Sequence, residues 1–324
     1  KSQLDAYYAE QKVKAQRRAD YRMWEKTKIL TPDDAPKTFS GFRSMKRANS
    51  ERYQSLIAAQ NRPTSAISTF IRETKTDIRD IGVNDSLWKF IDGNGNLTPE
   101  REQLHQDILS GMFAQATPVS GQAEFIIMGG GPAAGKSTMI RSGKVSLPRN
   151  CVMINSDDIK VMLPEYDELV RAGRLNDAAF FVHEESSALA KRAMDIAAKH
   201  NYNYVLDGTG DGSVNSVLKK INLARSQNQR VIGYYITCPT DMAVDRAVNR
   251  AMQTGRMVRK EIIVETHKKV SMILPDVAPL FDSIELYDST SELKLIATGG
   301  AGRPLAPVKN QENAFKIFLQ KAVE

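Results

Sequence analysis

Apolar runs and amphipathic stretches alternate along the chain from residue 125 onwards. Short apolar runs bounded by polar turns predict buried strands, the last of them weakest, at 125–128, 151–155, 203–206, 231–237 and near 284–287. Between them, apolar residues recur at helical spacing and predict helices at about 136–142, 165–172, 177–199, 213–227, 241–254 and 260–273. Because strands and helices alternate, we predict an α/β fold with a parallel sheet flanked by helices.

The N-terminal part of the chain has a different, wholly helical pattern. Residues 2–30 and about 41–60 carry apolar side chains at loose helical spacing, and a polar, proline-containing segment at 61–65 follows them. We therefore predict two parts: a basic, helical N-terminal extension over residues 1–65 and one α/β domain over residues 66–324.

Helical spacing continues between the extension and the first strand. It runs over 66–90 and resumes at Thr98, a favoured N-cap that is followed by Pro99 at the first helical position. His105 lies on this second helix, and we expect it to be a packing or surface residue rather than a catalytic one.

The positive charge of the chain is concentrated at the N-terminus. The formal net charge is +7, and residues 1–60 hold thirteen Lys and Arg against seven Asp and Glu, which gives +6 and leaves about +1 for the rest. Any polyanion-binding surface would therefore belong to this segment, although a solvated helix face explains the same charges. We expect no nucleic-acid partner for the α/β domain.

Composition predicts a globular protein. Hydrophobic residues make up 41% of the chain, and no run of about 18 or more apolar residues occurs. With a polar N-terminus, this pattern leads us to expect a cytoplasmic protein without a membrane partner. The two cysteines, Cys151 and Cys238, lie in apolar runs that resemble strands, so we expect both to be small hydrophobic side chains.

The clearest chemical signal directly follows the first predicted strand. From Gly130 the sequence fits Gly-x-x-x-x-Gly-Lys-Ser, the phosphate-binding loop, with the expected strand before it and helix after it. Lys136 would contact the β- and γ-phosphates of ATP, and the Ser137 hydroxyl would bind Mg²⁺. The predicted nucleotide-binding residues are Gly130, Gly131, Pro132, Ala133, Ala134, Gly135, Lys136, Ser137 and Thr138.

Two further strands end in polar residues that suit catalysis. In a parallel sheet the ligand lies beyond the carboxyl ends of the strands, where Asp157 and Asp158 follow one strand and Asp207 and Thr209 another. A kinase needs a carboxylate to accept the proton of the attacking hydroxyl, yet Asp157 and Asp158 could instead cap a helix. Asp207 could contact the substrate or ligate Mg²⁺, and its position alone does not separate these roles.

A group of arginines lies further along the chain. Arg246 and Arg250 are four residues apart and share a helix face, and Gly255 precedes a second basic run at 256–260. Arginines over the phosphates would neutralise charge that develops on the transferred group. A solvated, salt-bridged helix explains the same spacing.

Taken together, these motifs resemble the zeta toxin family of P-loop kinases over residues from about 98 to 289. The resemblance rests on an ordered set of segments: Gly-x-Pro-x-x-Gly-Lys-Ser, the strand followed by Asn155-Ser156-Asp157-Asp158, His183-Glu184-Glu185-Ser186-Ser187, Leu206-Asp207-Gly208-Thr209, and Gly255-Arg256-x-Val258 with His267 beyond it. The family phosphorylates small molecules with ATP and Mg²⁺, and its best-known substrate is UDP-N-acetylglucosamine.

The resemblance implies roles for individual residues. It implies Asp157 as the catalytic base and Arg246 and Arg259 as arginines that face the phosphates, beside Lys136. Substrate contacts are implied at Asp158, Lys160, Glu184, Asp207 and Thr209. Two positions depart from the family pattern: Lys160 stands where an arginine commonly follows the base, and Asp207 stands where a glutamate often precedes Gly-Thr. These departures leave the particular sugar nucleotide open.

Partners and competing functions follow from the same features. The resemblance implies a small helical antitoxin and a toxic activity, and residues 1–65 could act as that antitoxin in cis or belong to a larger host protein. One alternative function is a nucleotide-binding interaction module without transfer activity. A second is a polynucleotide kinase, although the stacking platform it would need is absent near the loop.

Overall fold

The computed structural model describes residues 20, 23–24, 36–48, 65–79, 81–254 and 258–323. The chain divides into two units. Unit 1 comprises Lys1–Ala116 and Asn155–Ile196, and unit 2 comprises Thr117–Ile154 and Ala197–Glu324. The predicted boundary at residue 65 stays a prediction.

Unit 2 is built on one sheet, which has seven strands within the described residues. In chain order these are β1 (Glu124–Gly129), β2 (Val152–Ile154), β3 (Tyr204–Asp207), β4 (Arg230–Thr237), β5 (Ser283–Asp288), β6 (Lys294–Gly300) and β7 (Arg303–Pro307). Their order across the sheet is β2-β3-β1-β4-β5-β6-β7. Strands β1 to β5 pair in parallel, whereas β6 and β7 are antiparallel. The predicted α/β fold is confirmed, with two antiparallel strands at one edge.

Twelve α-helices lie in the described part of the chain. They are α1 (Phe39–Arg47), α2 (Ser65–Glu73), α3 (Pro99–Phe113), α4 (Lys136–Arg141), α5 (Ser156–Lys160), α6 (Pro164–Arg171), α7 (Leu175–Phe181), α8 (His183–Lys199), α9 (Val214–Ser226), α10 (Thr240–Thr254), α11 (Lys260–Val277) and α12 (Glu312–Gln320). None of them is long and apolar enough to cross a membrane.

The core of unit 2 surrounds the central strand β1. Five of its six residues are buried, because a parallel strand with helices on both faces has no solvent-exposed side. Ile126 and Met128 pack in one cluster with Val205 of β3, Ile236 of β4 and Met139 of α4. This packing fixes the position of the loop that leaves β1 at Gly129.

Unit 1 is helical in its described residues. As predicted, α3 begins with Pro99 after the N-cap Thr98, whose hydroxyl accepts a hydrogen bond from the Arg101 N–H at 3.4 Å. The largest fully buried apolar side chains of unit 1 include Ile67 and Ile71 of α2 and Leu109 of α3. His105, also on α3, is fully buried, in keeping with the packing role expected for it.

Several local predictions were wrong. Strands β6 and β7 were not predicted, because their glycines and prolines weaken the strand signal. The predicted helix 177–199 is interrupted at Val182, which caps α7 before α8 begins. Among the described residues of 66–90, helical structure is limited to α2 and a 3₁₀ turn at Ser86–Phe90.

Both cysteines lie just outside strands rather than within them. Cys151 precedes β2 by one residue, and Cys238 follows β4 by one residue. Burial raises the pKa of the Cys151 thiol to about 11, which suits a small hydrophobic side chain. The predicted helices over 2–30 and 41–60 lie largely outside the described residues, except for 39–47 and short pieces near residue 20.

Candidate active site

The loop between β1 and α4 has the conformation that its glycines permit. Gly130 has φ of +143° and Gly135, the N-cap of α4, has φ of +105°, both in a region that residues with a Cβ rarely adopt. The turn brings the chain directly from the central strand into the N-terminus of α4. Such a helix N-terminus, with its unpaired N–H groups, favours an anion.

Three carbonyl groups of this loop are held by side chains. Lys136 Nζ donates to Gly130 O at 3.0 Å, His267 Nε2 contacts Pro132 O at 3.1 Å, and Ser289 Oγ donates to Ala134 O at 2.6 Å. These three contacts restrain the conformation of the loop.

Close packing also explains two of the loop glycines. A Cβ at Gly131 would lie 2.1 Å from His267 Cδ2, and a Cβ at Gly129 would lie 2.2 Å from Tyr235 Cε1. Both distances are far below van der Waals contact. The loop therefore lies directly on the side chains of α11 and β4.

His267 is neutral in this environment. Burial lowers its pKa to about 4, the hydrogen bond to Pro132 opposes this shift, and the charges of Lys321 and Lys136 lower it further. Because a carbonyl only accepts hydrogen bonds, we assign the proton of the neutral ring to Nε2. His267 thus supports the loop without adding a charge to it.

Arg246 reaches the same loop through Ser289. Its Nη1 donates to Ser289 Oγ at 2.9 Å and its Nη2 donates to Ser289 O at 2.6 Å, while the Ser289 hydroxyl binds the loop carbonyl of Ala134. Arg259 is exposed at the N-terminus of α11, and residues 255–257 before it lie outside the described residues.

The loop after β3 lies beside the phosphate-binding loop. Asp207 ends β3 opposite Met128 of β1, and the Gly130 N–H donates to Thr209 O at 2.8 Å. The Thr209 hydroxyl donates a short hydrogen bond to Asp211. The structure therefore brings Asp207 and Thr209 next to the predicted nucleotide site within unit 2.

Asp157 and Asp158 lie in the first turn of α5 in unit 1. Asn155 caps this helix by accepting from the Asp157 N–H at 2.9 Å, so neither aspartate is its N-cap. Asp157 is half-buried and accepts from Lys160 Nζ at 3.0 Å, whereas Asp158 is exposed. The N-cap position of α5 is thus occupied by Asn155 rather than by either aspartate.

A buried ionic cluster joins helices α3, α6 and α8 of unit 1. Glu185, fully buried on α8, is bound by Arg101 Nε and Nη2 at 2.7 Å each and contacts His105 Nε2 at 2.7 Å. Ser86 also donates to it, and Arg101 pairs with Glu165 at 2.8 Å. Burial opposes ionisation of Glu185, but these hydrogen bonds outweigh it and lower its pKa to about 2.

Comparison with known protein families identifies the chain. The sequence profile of the Zeta toxin family matches residues 112–300, more than half of its length. This protein belongs to the zeta toxin family. Comparison with curated proteins gives no match.

Solved structures have a similar fold. One is the AvrRxo1-ORF1:-ORF2 crystal structure with ATP, at 17% identity and a TM-score of 0.55, over 76% of this chain and 80% of that chain. Another comes from the PezAT chromosomal toxin-antitoxin system of Streptococcus pneumoniae, at 16% identity and a TM-score of 0.51, over 70% of this chain and 96% of that chain. Both likenesses support the P-loop kinase-like fold.

The zeta toxin motifs are thus distributed over both units. Unit 2 holds the phosphate-binding loop together with Asp207, Thr209 and Arg246. Unit 1 holds Asp157, Asp158, Lys160 and Glu184, the last of them exposed in the first turn of α8. Their catalytic and substrate-binding roles stay predictions.

Sequence reasoning missed His267 and Ser289, which contact the zeta toxin phosphate loop, and Lys321, which contacts Thr237 and Cys238 at the end of β4. His267 was part of the resemblance but had no assigned role. Ser289 follows the parallel strand β5 directly, so the strand-end rule that singled out Asp157 and Asp207 could have found it. Lys321 lies beyond the residues that match the family, and no sequence motif includes it.

Proposed function

We propose that this chain is a kinase that transfers the γ-phosphate of ATP to a hydroxyl of a small metabolite, a nucleotide sugar such as UDP-N-acetylglucosamine. The proposal rests on membership of the zeta toxin family and on the geometry of the loop at residues 129–138.

The loop geometry is the observation that carries the proposal. Left-handed glycines at 130 and 135 and side-chain support of three carbonyls form a cradle for the phosphates of a nucleotide. The AvrRxo1 neighbour, whose structure contains ATP, supports ATP as the nucleotide bound by residues 130–138. In this proposal Lys136 contacts the β- and γ-phosphates.

The reaction is a substitution at phosphorus. The acceptor hydroxyl oxygen forms a bond to the γ-phosphorus, the bond from that phosphorus to the β–γ bridging oxygen breaks, and the products are a phosphate ester and ADP. Asp157 takes the proton of the hydroxyl. The phosphates are contacted by Arg246 and Arg259, and the acceptor by Asp158, Lys160, Glu184, Asp207 and Thr209.

The residues present also fit Mg²⁺. Ser137 offers one hydroxyl oxygen in the first turn of α4, and this cation commonly takes its other ligands from phosphates and water. The described residues include no cluster of three or more His, Cys, Asp or Glu that could hold a metal by themselves. When bound, Mg²⁺ would neutralise charge on the β- and γ-phosphates.

Product analysis tests the proposal. The purified protein is incubated with ATP, Mg²⁺ and a panel of nucleotide sugars, and products are separated and identified by mass. We expect a phosphorylated nucleotide sugar that requires both ATP and Lys136. If ATP binds but no member of the panel gains a phosphate, the assignment of a nucleotide-sugar acceptor is wrong.

We also propose that the activity is toxic and that a separate protein neutralises it. The PezAT neighbour, described as part of a toxin-antitoxin system, supports this idea. Expression of the wild-type chain should arrest cell growth, whereas Lys136→Ala at equal abundance should not. Equal growth with both chains would contradict a toxic role.

A further inference from the structure

The C-terminal segment lies outside the residues that match the zeta toxin family. Strand β7 and helix α12 follow residue 300, where the match ends. Strand β7 pairs with β6, and Phe318 of α12 is fully buried. This segment is therefore a folded part of unit 2.

Lys321, just after α12, reaches the end of strand β4. It is only 5% exposed, and its Nζ donates to Thr237 Oγ1 at 2.6 Å and to Cys238 O at 2.5 Å. A buried ammonium group is costly unless it is hydrogen-bonded, so the position of Lys321 is closely defined. The residues that it binds are those where β4 ends.

The end of β4 in turn supports the phosphate-binding loop. Thr237 O accepts from the Ser289 N–H at 2.9 Å, and the Ser289 hydroxyl donates to Ala134 O in the loop at 2.6 Å. A Cβ at Gly130 would lie 2.5 Å from Ile236 O, so the loop lies directly on this part of β4. Continuous contacts thus join Lys321 to the loop.

Lys321 also adds positive charge near the loop. Burial lowers the pKa of His267, which contacts the loop at Pro132, and the charges of Lys321 and Lys136 lower it further. Burial raises the pKa of Cys238, and the charges of Arg246 and Lys321 oppose that shift. A concentration of cations around a phosphate site attracts a polyanion such as a nucleoside triphosphate.

We propose that Lys321 is a positioning residue of the nucleotide site, which holds the end of β4 beneath the phosphate-binding loop and adds charge that favours the triphosphate. The C-terminal segment is then part of the nucleotide site. The inference rests on the proposed function only as far as a nucleoside triphosphate binds at this loop, whatever the acceptor.

Titration of ATP into matched variants tests the inference. Lys321→Met removes the charge and the hydrogen bonds, Lys321→Arg keeps both, and Lys316→Met removes an exposed lysine of α12 as the control. We expect Lys321→Met to weaken ATP binding about tenfold, because a cation near the triphosphate is lost and the end of β4 is no longer held in place. Lys321→Arg should recover most of the affinity, and Lys316→Met should match the wild type.

A second readout separates positioning from simple loss of stability. The ring protons of His267, assigned by their loss in His267→Gln, are followed by NMR against pH in the folded proteins. We expect the His267 pKa to be higher in Lys321→Met than in the wild type, because a nearby cation is removed. If Lys321→Met does not fold, Lys321→Gln, which keeps a donor without the charge, takes its place.

The possible outcomes distinguish this inference from the proposed function. A folded Lys321 variant with wild-type ATP affinity and an unchanged His267 pKa would overturn the inference alone. Wild-type protein that binds ATP but phosphorylates no acceptor would contradict the proposed function and leave the inference standing. Wild-type protein that binds no ATP would overturn both.

Discussion

At the scale of single residues, the phosphate-binding loop depends on contacts that its own motif does not describe. His267 lies 135 residues after Pro132 and Ser289 lies 155 residues after Ala134, yet each binds the carbonyl of that loop residue. Glycine at 131 is required by the His267 ring rather than by its own backbone, because its φ lies outside the left-handed region.

The substitution Gly131→Ala tests this packing. The new Cβ would lie 2.1 Å from His267 Cδ2, so the loop or the histidine must move. We expect a loss of about 1–3 kcal/mol in the free energy of unfolding, as for other overpacked sites, together with weaker ATP binding. Gly121→Ala, where nothing lies within 4 Å, is the control. Wild-type stability and ATP affinity in Gly131→Ala would show that the loop adapts freely.

Asp157 and Asp158 are adjacent but differ in environment, which allows a direct comparison. We expect Asp157→Asn to keep ATP binding and to lose phosphate transfer by about 10²–10⁴-fold, the usual range for a positioned general base. Asp158→Asn, at the exposed position, should reduce the rate of phosphate transfer much less. Initial rates at saturating ATP check both variants, and the reverse order of effects would mean that Asp158 is the base.

Some of the site was predictable from sequence and some was not, for a physical reason. The loop at 130–138 is a contiguous motif, and the predicted acids lie at or just after the ends of β2 and β3. The support from His267, Ser289 and Lys321 depends on tertiary contacts between residues far apart in the chain, which no local pattern records.

At the scale of secondary-structure elements, buried charge joins the helices of unit 1. Arg101 of α3 binds Glu185 of α8 and Glu165 of α6, and its guanidinium also lies 4.2 Å from the centroid of the Phe90 ring. Helix α6 follows α5, which carries Asp157, so the cluster fixes the helix next to the predicted base. Residues before 112, outside the family match, therefore contribute to the fold of unit 1.

Arg101→Met should destabilise unit 1 strongly. Glu185 is fully buried, and removal of Arg101 leaves its carboxylate without its main ion-pair partner. We expect a loss of about 3–5 kcal/mol in the free energy of unfolding, typical of a broken buried pair. Arg171→Met breaks an exposed pair with Asp167 and should cost less than about 1 kcal/mol. Equal denaturant midpoints for the two variants would contradict a structural role for the cluster.

The sheet itself shows where element prediction succeeds and fails. Strands β1 to β4 are apolar and bounded by turns, so their positions follow from the hydrophobic pattern. The order β2-β3-β1-β4-β5 depends on how helices connect strands in space, and the antiparallel edge formed by β6 and β7 contains glycine and proline that hide it.

At the scale of the whole molecule, the N-terminal segment belongs to unit 1 together with Asn155–Ile196. Within the described residues, Lys46 pairs with Asp20 at 2.6 Å, and Trp24 Nε1 donates to Pro36 O at 2.8 Å. These contacts join parts of the N-terminal segment to one another. That this segment folds as an independent appendage stays a prediction.

Removal of the N-terminal segment tests this interpretation. We expect a chain that begins at Thr64 to keep the initial rate and the melting temperature of the full chain, because an appendage adds little to another domain's stability. A higher rate after truncation, with toxicity to the producing cell, would show instead that the segment is a built-in inhibitor. Loss of folded protein would contradict both interpretations and make these helices part of the kinase core.

The central claim is that the loop at 129–138 binds ATP for phosphate transfer. The most direct measurement compares transfer of labelled γ-phosphate from ATP to a nucleotide-sugar acceptor by the wild type and by Lys136→Ala, with melting curves for both. We predict transfer by the wild type and none above background by the variant, because Lys136 contacts the phosphates in the proposed mechanism. The melting curve of the variant should show a folded protein that lacks the hydrogen bond to Gly130 O. Undiminished transfer by a well-folded Lys136→Ala protein would contradict the account.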